Sequence, residues 1–181
     1  MARIPPVVPS EALSWVRVAL ERHCARFQTH VTNMKCTLAH SLTAFDVYMQ
    51  WYIVFDDMRL MLGLRQAHLY SYAIAKGCNC FLWGTYFYKF IEDAGEDPKN
   101  LQLKEKERLL MEFGRAIAIN HGKTDQELFD KLSKFHNPRR MVDIVSYAGQ
   151  MVAACVFSNA MEVELDDYLK GYVADAEKDL L

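Results

Sequence analysis

Gly77-Cys78-Asn79-Cys80-Phe81-Leu82-Trp83-Gly84-Thr85-Tyr86-Phe87 is the stretch on which the reading of this chain turns. It gathers two of the five cysteines, a tryptophan and a tyrosine into one short run in mid-chain. Two thiols one residue apart suggest redox or metal chemistry, yet the spacing is not the Cys-x-x-Cys of the usual thiol or zinc site. The stretch is therefore either an active site with altered parts or a packed helix start that happens to hold sulfur.

Working outward, turn signals bracket the stretch on both sides. Residues 64–75 read as a helix that stops at Lys76-Gly77, a cation followed by glycine. The next helix starts near Asn79 or Cys80 and runs to Ala94-Gly95, before the turn Glu96-Asp97-Pro98. Upstream, Ser10 after Pro9 is a candidate cap for a helix through about Cys24, with Leu13, Val16, Leu20 and His23 on one face. A second helix begins near Ser41 and carries Phe45, Tyr48, Met49, Tyr52, Ile53 and Phe55 inward.

Downstream, residues 103–119 are amphipathic, with Leu109, Leu110, Phe113, Ala116 and Ile117 opposite a charged face. Thr124 to Glu127 reads as a capping box for a short helix to about Phe135. Asn137 then caps and Pro138 occupies the first position of a long helix to about Met161. Residues 166–178 read as a last, partly exposed helix. No segment alternates with period two, and no repeat or linker divides the chain. The expected class is all-α, in a single domain.

The composition of the 181 residues agrees, at 51% apolar with few Gly and Pro. A chain of this length buries about 70% of the surface its unfolded form exposes. A formal charge of −2 with no basic block excludes a nucleic-acid footprint, and Arg139-Arg140 is too short to make one. The first residues lack the apolar run of a signal peptide. The most apolar segment, residues 142–163, is interrupted by Asp143, Ser146, Gln150, Ser158, Asn159 and Glu162 and falls short of a bilayer span. The expectation is a cytoplasmic protein with no membrane partner and mostly reduced cysteines.

The long helix carries small side chains at Ala148, Gly149, Ala153, Ala154, Ser158 and Ala160, which let a neighbouring backbone approach closely. It is expected to be the central helix of the fold or a subunit contact. Cys155 on it reads as a small buried hydrophobe.

The order of these pieces resembles a known family. Leu38-Ala39-His40-Ser41 with Ala44-Phe45 and Tyr48, then Leu64-Arg65-Gln66-Ala67-His68, then Gly77 to Phe87, look like the carboxymuconolactone decarboxylase and AhpD-like (alkylhydroperoxidase D) family. The later run through Leu128-Phe129, Val142 to Val145, Val152 and Phe157 to Asp166 is similar to that family's closing helix and tail. The resemblance implies an AhpD-like helical bundle over residues 35–170, with residues 1–34 as an N-terminal helical extension and 171–181 as a tail. It also implies a homo-oligomer, as dimer, trimer or hexamer, acting on a small-molecule substrate with no cofactor.

The peroxidase branch of the family uses Cys-x-x-Cys, a histidine one turn on and an upstream glutamate. Here Cys80 matches the first cysteine, but the second falls on Trp83, the histidine on Phe87 and the glutamate on His68. That two-cysteine mechanism is therefore not carried over. A Cys78–Cys80 disulfide would close a short, strained and easily reduced ring.

The residues left to line such a pocket are His68, Cys80 and Tyr86 as candidate catalytic groups, with Trp83, Cys78, Tyr72, His40 and Thr85 around them. His68 and Tyr72 lie one helical turn apart, as do Leu82 and Tyr86, so each pair can share a face. A histidine in an apolar cavity suits acid/base work, Tyr86 can donate to a developing enolate, and Trp83 offers a flat wall for a ring. Against this, a lone helical histidine is often a satisfied core residue, and Cys80 can be packing alone.

No His-x3-His or Glu-x-x-His pair occurs, so no metal site is expected. His30, His40, His121 and His136 are scattered, while Asp56-Asp57 and Asp166-Asp167 read as surface. Three functions follow. The chain is a cofactor-independent lyase or decarboxylase acting on a small carbonyl or carboxylate compound, a thiol-dependent antioxidant peroxidase centred on Cys80, or a non-catalytic helical oligomer.

Overall fold

The structure, a computed structural model, describes residues 2–173. Among these residues there are nine α-helices, one short 3-10 segment and no strand. Helix α1 (Ser14–Phe27) starts later than the Ser10 cap would place it, because Leu13 stands at the cap without a side-chain bond. The preceding residues instead form an arm in which Val7 N–H donates to Cys36 O at 3.2 Å.

The sequence reading passed over α2 (Asn33–Leu38), a helix of under two turns capped by Thr32, whose Oγ1 accepts from Lys35 N–H at 3.4 Å. Asp166 accepts from the Asn33 N–H at 2.7 Å. Asp166 is thus half-buried rather than surface, and burial raises its pKa.

Ser41 caps α3 (Leu42–Met49) as expected, its Oγ accepting from Ala44 N–H at 3.3 Å. The single helix expected from Ser41 is interrupted at Gln50, and α4 (Trp51–Leu62) follows directly. The break puts Phe45 and Met49 in the core but leaves Ile53 exposed. Gly63, at φ 87°, makes the sharp join to α5 (Leu64–Gly77), a backbone conformation that side chains resist.

Cys80 is the N-cap residue of α6 (Phe81–Asp93). Then come α7 (Glu105–Ile119), α8 (Gln126–Ser133) and α9 (Pro138–Met161). The cap of α8 is Asp125, which accepts from Glu127 N–H at 2.7 Å, and not Thr124. Asn137 caps α9 through Arg140 N–H at 3.0 Å, with Pro138 in the first turn as read from sequence. The chain ends in a 3-10 segment, Asp167–Tyr172; the rest of the expected last helix lies outside the described residues.

Helix α5 is the centre of the bundle, with α4, α6, α7 and α9 packed around it. Its approach to α7 is close because Gly114 leaves room for Tyr70: a Cβ there would sit 2.6 Å from the phenol ring. Fully buried Tyr70 donates its hydroxyl to Ile144 O at 3.1 Å, tying α5 to α9. Arg65 at the start of α5 grips both Glu96 oxygens, at 2.7 and 2.6 Å, and pairs with the buried Glu107.

Helix α9 has two characters. Ile144, Tyr147, Ala148, Met151, Ala154 and Cys155 are buried, whereas Val142, Val145 and Val156 form an exposed stripe at helical spacing. It is long and apolar enough to cross a membrane by length and composition, but 44% of the qualifying window is buried inside the fold. A core helix passes the same test.

Candidate functional site

A cavity of about 420 Å³ opens between α4, α5, α6, α9 and the end of α1. Its walls follow from helical spacing. On α6, Trp83, Tyr86, Phe87 and Phe90 recur at three- and four-residue steps and so present one aromatic face. Helix α4 contributes Trp51, Tyr52, Phe55 and Arg59 by the same arithmetic, and α9 gives Tyr147 and Met151 one turn apart. The turn after α1 closes one side with Phe27, Gln28 and Thr29, from the segment expected to be an extension.

His68 projects from α5 into this aromatic box. Its ring packs against Phe55 (6.5 Å, planes 11° apart), Phe87 (6.1 Å) and Phe90 (5.0 Å). Neither ring nitrogen has a hydrogen-bond partner among the described residues. Burial lowers its pKa below the usual 6.5, so the imidazole is neutral at physiological pH and its nitrogens are free to meet a ligand.

The phenols around it behave differently. Burial raises the pKa of Tyr52, Tyr86 and Tyr147, so all three keep their protons and serve only as neutral hydrogen-bonding groups. Tyr147 is already engaged, its hydroxyl 2.6 Å from Ser71 Oγ. Tyr86 has no hydrogen bond to a described residue and meets Trp83, Phe87 and Phe90 through its ring. Arg59 at the cavity edge donates to Asp56 at 2.7 Å.

One support of this wall is charged. Lys35 is 3% exposed, and its ammonium donates to His30 O at 2.6 Å and Thr29 Oγ1 at 3.0 Å. It lies 5.5 Å from the Tyr52 ring, and burial pulls its pKa down to about 8. Lys35 thereby fixes the turn that supplies Thr29 to the cavity.

Of the residues singled out from sequence, His68, Trp83 and Tyr86 meet in this cavity, and five others stand elsewhere. Cys80 is wholly buried behind α6 and does not reach the lining. Cys78 is half-buried in the turn between α5 and α6, also outside it. Tyr72, one turn beyond His68, is carried past the cavity to the level of Lys76, whose ammonium sits 6.0 Å from its ring. His40 is exposed, with Nε2 2.9 Å from Pro5 O, where it fastens the N-terminal arm. Thr85 is buried, and its hydroxyl has no partner among the described residues.

The two cysteines meet a third instead. The Cys155 thiol of α9 is the leading influence on the pKa of both Cys78 and Cys80. A hydrogen bond from Cys155 lowers the pKa of both, outweighing burial, and raises that of Cys155 itself. Cys155 is buried as expected, but it has thiol company. Among the described residues no group of three or more His, Cys, Asp or Glu is arranged to hold a metal ion.

Sequence reasoning missed Phe27, Trp51, Tyr52, Phe55, Arg59 and Tyr147. The aromatic spacing on α4 was a usable signal; the convergence of α1 and α9 on the same space was not visible in any local pattern.

No family model and no curated protein matches the chain. Solved structures do. A variant of the debrominase Bmp8 in complex with 2,3,4-tribromopyrrole superposes with a TM-score of 0.75 at 13% identity, covering 97% of this chain and 98% of that one. An uncharacterised peroxidase-related protein from a Silicibacter species gives 0.74 at 12% identity, over 95% and 97%. A peroxidase-related protein with the alkylhydroperoxidase AhpD core, from Ralstonia eutropha, gives 0.65 at 14% identity, over 93% and 94%. At these identities the likeness establishes architecture, and the chain has the AhpD-like helical fold that its sequence resembles.

Proposed function

We propose that the chain is an enzyme that binds a small, flat ring compound bearing a carbonyl or carboxylate group and moves a proton at His68. The observation that carries this reading is the unpartnered, neutral imidazole among aromatic walls. A base whose pKa sits below its usual value is free to accept a proton at pH 7, and the mostly aromatic walls strengthen its interactions with a bound substrate. Tyr86, still protonated, donates to the oxygen on which charge develops; Trp83 and Trp51, in edge-to-face contact with centroids 5.6 Å apart, form one wall against which the ring lies. Arg59 at the rim is placed to meet a carboxylate.

The tribromopyrrole bound to the debrominase of like fold is also a small flat ring, which agrees with a ring-shaped occupant here. A peroxidase reading centred on Cys80 is less well supported, because that thiol has no access to the cavity. The exposed valine stripe of α9 supports assembly as a homo-oligomer.

The test is turnover of a panel of ring carboxylates and keto acids by wild type and His68→Gln. The proposal expects one compound class to be consumed, with kcat falling at least ~100-fold in the variant. Undiminished turnover in His68→Gln would refute it.

A further inference from the structure

Helices α1 and α3 enclose a second cavity, of about 500 Å³, that shares only Phe27 with the lining of the aromatic one. A volume of this size suits a small molecule. Its walls again follow from helical spacing. Trp15, Ala19, Arg22 and Arg26 recur on α1 at steps of three and four, and Leu42, Asp46 and Met49 do so on α3.

The two ends of this groove differ in character. Toward the start of α1, Trp15 and Val18 are 59% and 45% exposed, and buried Phe45 and Met49 complete the apolar lining. Toward its end, Arg22 and Arg26 stand exposed, one helical turn apart. Neither is in an ion pair among the described residues, whereas Arg17, which is not in the lining, has Glu21 at 4.0 Å. The Arg26 guanidinium lies 4.9 Å from the Phe27 ring. Asp46 is the single acid of the lining, so two arginines leave it net positive. His23, also in the lining, is 6% exposed, and its Nε2 has no hydrogen-bond partner among the described residues.

We propose that the α1–α3 groove is a binding site for a medium-chain carboxylate, its apolar tail along Trp15 and Val18 and its carboxylate between Arg22 and Arg26. Two neighbouring guanidiniums without acids of their own are matched by one anionic head, and their N–H forks fit the two oxygens of a carboxylate. The tail covers apolar surface that Trp15 and Val18 otherwise hold against water. Trp15 and Arg26 are about 16 Å apart along the helix axis, at 1.5 Å per residue, the reach of an extended acid of about ten carbons. The site does not rest on the proton chemistry assigned to His68, which lies outside this lining.

The experiment titrates the full chain with decanoate, below the concentration at which it aggregates, and follows tryptophan emission. Trp15 is exposed, whereas Trp51 is buried and Trp83 half-buried, so covering Trp15 should move the emission saturably to shorter wavelength. Trp15→Phe should abolish that shift. Arg22→Gln with Arg26→Gln should weaken binding at least ~10-fold, and decanol, which keeps the tail and lacks the charge, should bind at least ~10-fold more weakly than decanoate. Both arginines are exposed, so the double variant should keep its helical circular dichroism. His68→Gln should bind decanoate as wild type does, which separates this site from the aromatic cavity. No saturable shift, a shift that survives in Trp15→Phe, equal affinity for decanoate and decanol, or unchanged affinity in the arginine variant overturns the proposal. So does a light-scattering mass that falls in Val18→Glu, because a second copy of the chain would then occupy the groove.

Discussion

The His68 imidazole on α5 and the Phe55 ring on α4 lie with their planes 11° apart and centroids 6.5 Å apart. Aromatic faces, not hydrogen bonds, set the plane of the imidazole, and the same faces partly shield it from water. Phe55→Ala should therefore admit water and let the His68 pKa climb back toward 6.5, a change followed by the pH dependence of its NMR signals. An unchanged titration in this variant would mean that Phe55 does not desolvate the ring.

Tyr86→Phe isolates the proposed donor. The hydroxyl has no bond to a described residue, so melting temperature should change little. The substrate's kcat should nonetheless fall ~10-fold or more. Loss of stability without loss of rate would assign Tyr86 to packing.

Acid lability has a specific source in two other histidines. His23 is enclosed by Phe27, Phe45 and Tyr52, and His136 has no partner at either ring nitrogen among the described residues. Burial lowers both pKa values from 6.5 to about 4. Between these values the unfolded chain binds more protons than the folded one. Stability is thus full above pH 6.5 and declines as pH falls toward 4, by on the order of 2 kcal/mol per ring. Urea unfolding across this range should show the decline, and His136→Gln should flatten it; a flat wild-type profile would contradict the assignment.

How far this was legible depends on the range of the cause. Ser41, Asn137-Pro138, Lys76-Gly77 and the amphipathic face of α7 are local signals, and the helices they announce are present. The α3–α4 break at Gln50 carries no Gly or Pro, and α2, though capped locally by Thr32, has its first N–H held by Asp166 from far along the chain. The site divides the same way. Trp83 and Tyr86 share a helix face, so their meeting follows from spacing. Phe27, Tyr147 and the Cys155 contact come from elements whose packing no local pattern encodes.

Arg65 neutralises Glu107, which is 5% exposed. Burial opposes ionisation of that carboxyl, and the Arg65 guanidinium with the Lys104 N–H outweighs it, so its pKa is lowered. Arg65→Met leaves the charge buried and unpaired and should cost about 3 kcal/mol in denaturant unfolding. Adding Glu107→Gln should recover much of that; equal losses in single and double variants would refute the coupling.

The outer stripe of α9 gives a prediction about assembly. Val145→Asp with Val156→Asp places charge on an exposed apolar face and should leave the helical fold intact by circular dichroism. Light scattering should then report a smaller species than wild type. An identical mass for both would remove this face from any interface.

The central claim is that the aromatic cavity holds a ring compound against His68. Its most direct measurement is a titration of isotope-labelled protein with benzoate, following the histidine side-chain signals by NMR. The account predicts saturable shifts at His68, with the other histidines unmoved and the effect abolished by Trp83→Ala. Saturable binding that leaves His68 untouched, or shifts spread equally over exposed His40 and His121, would contradict it.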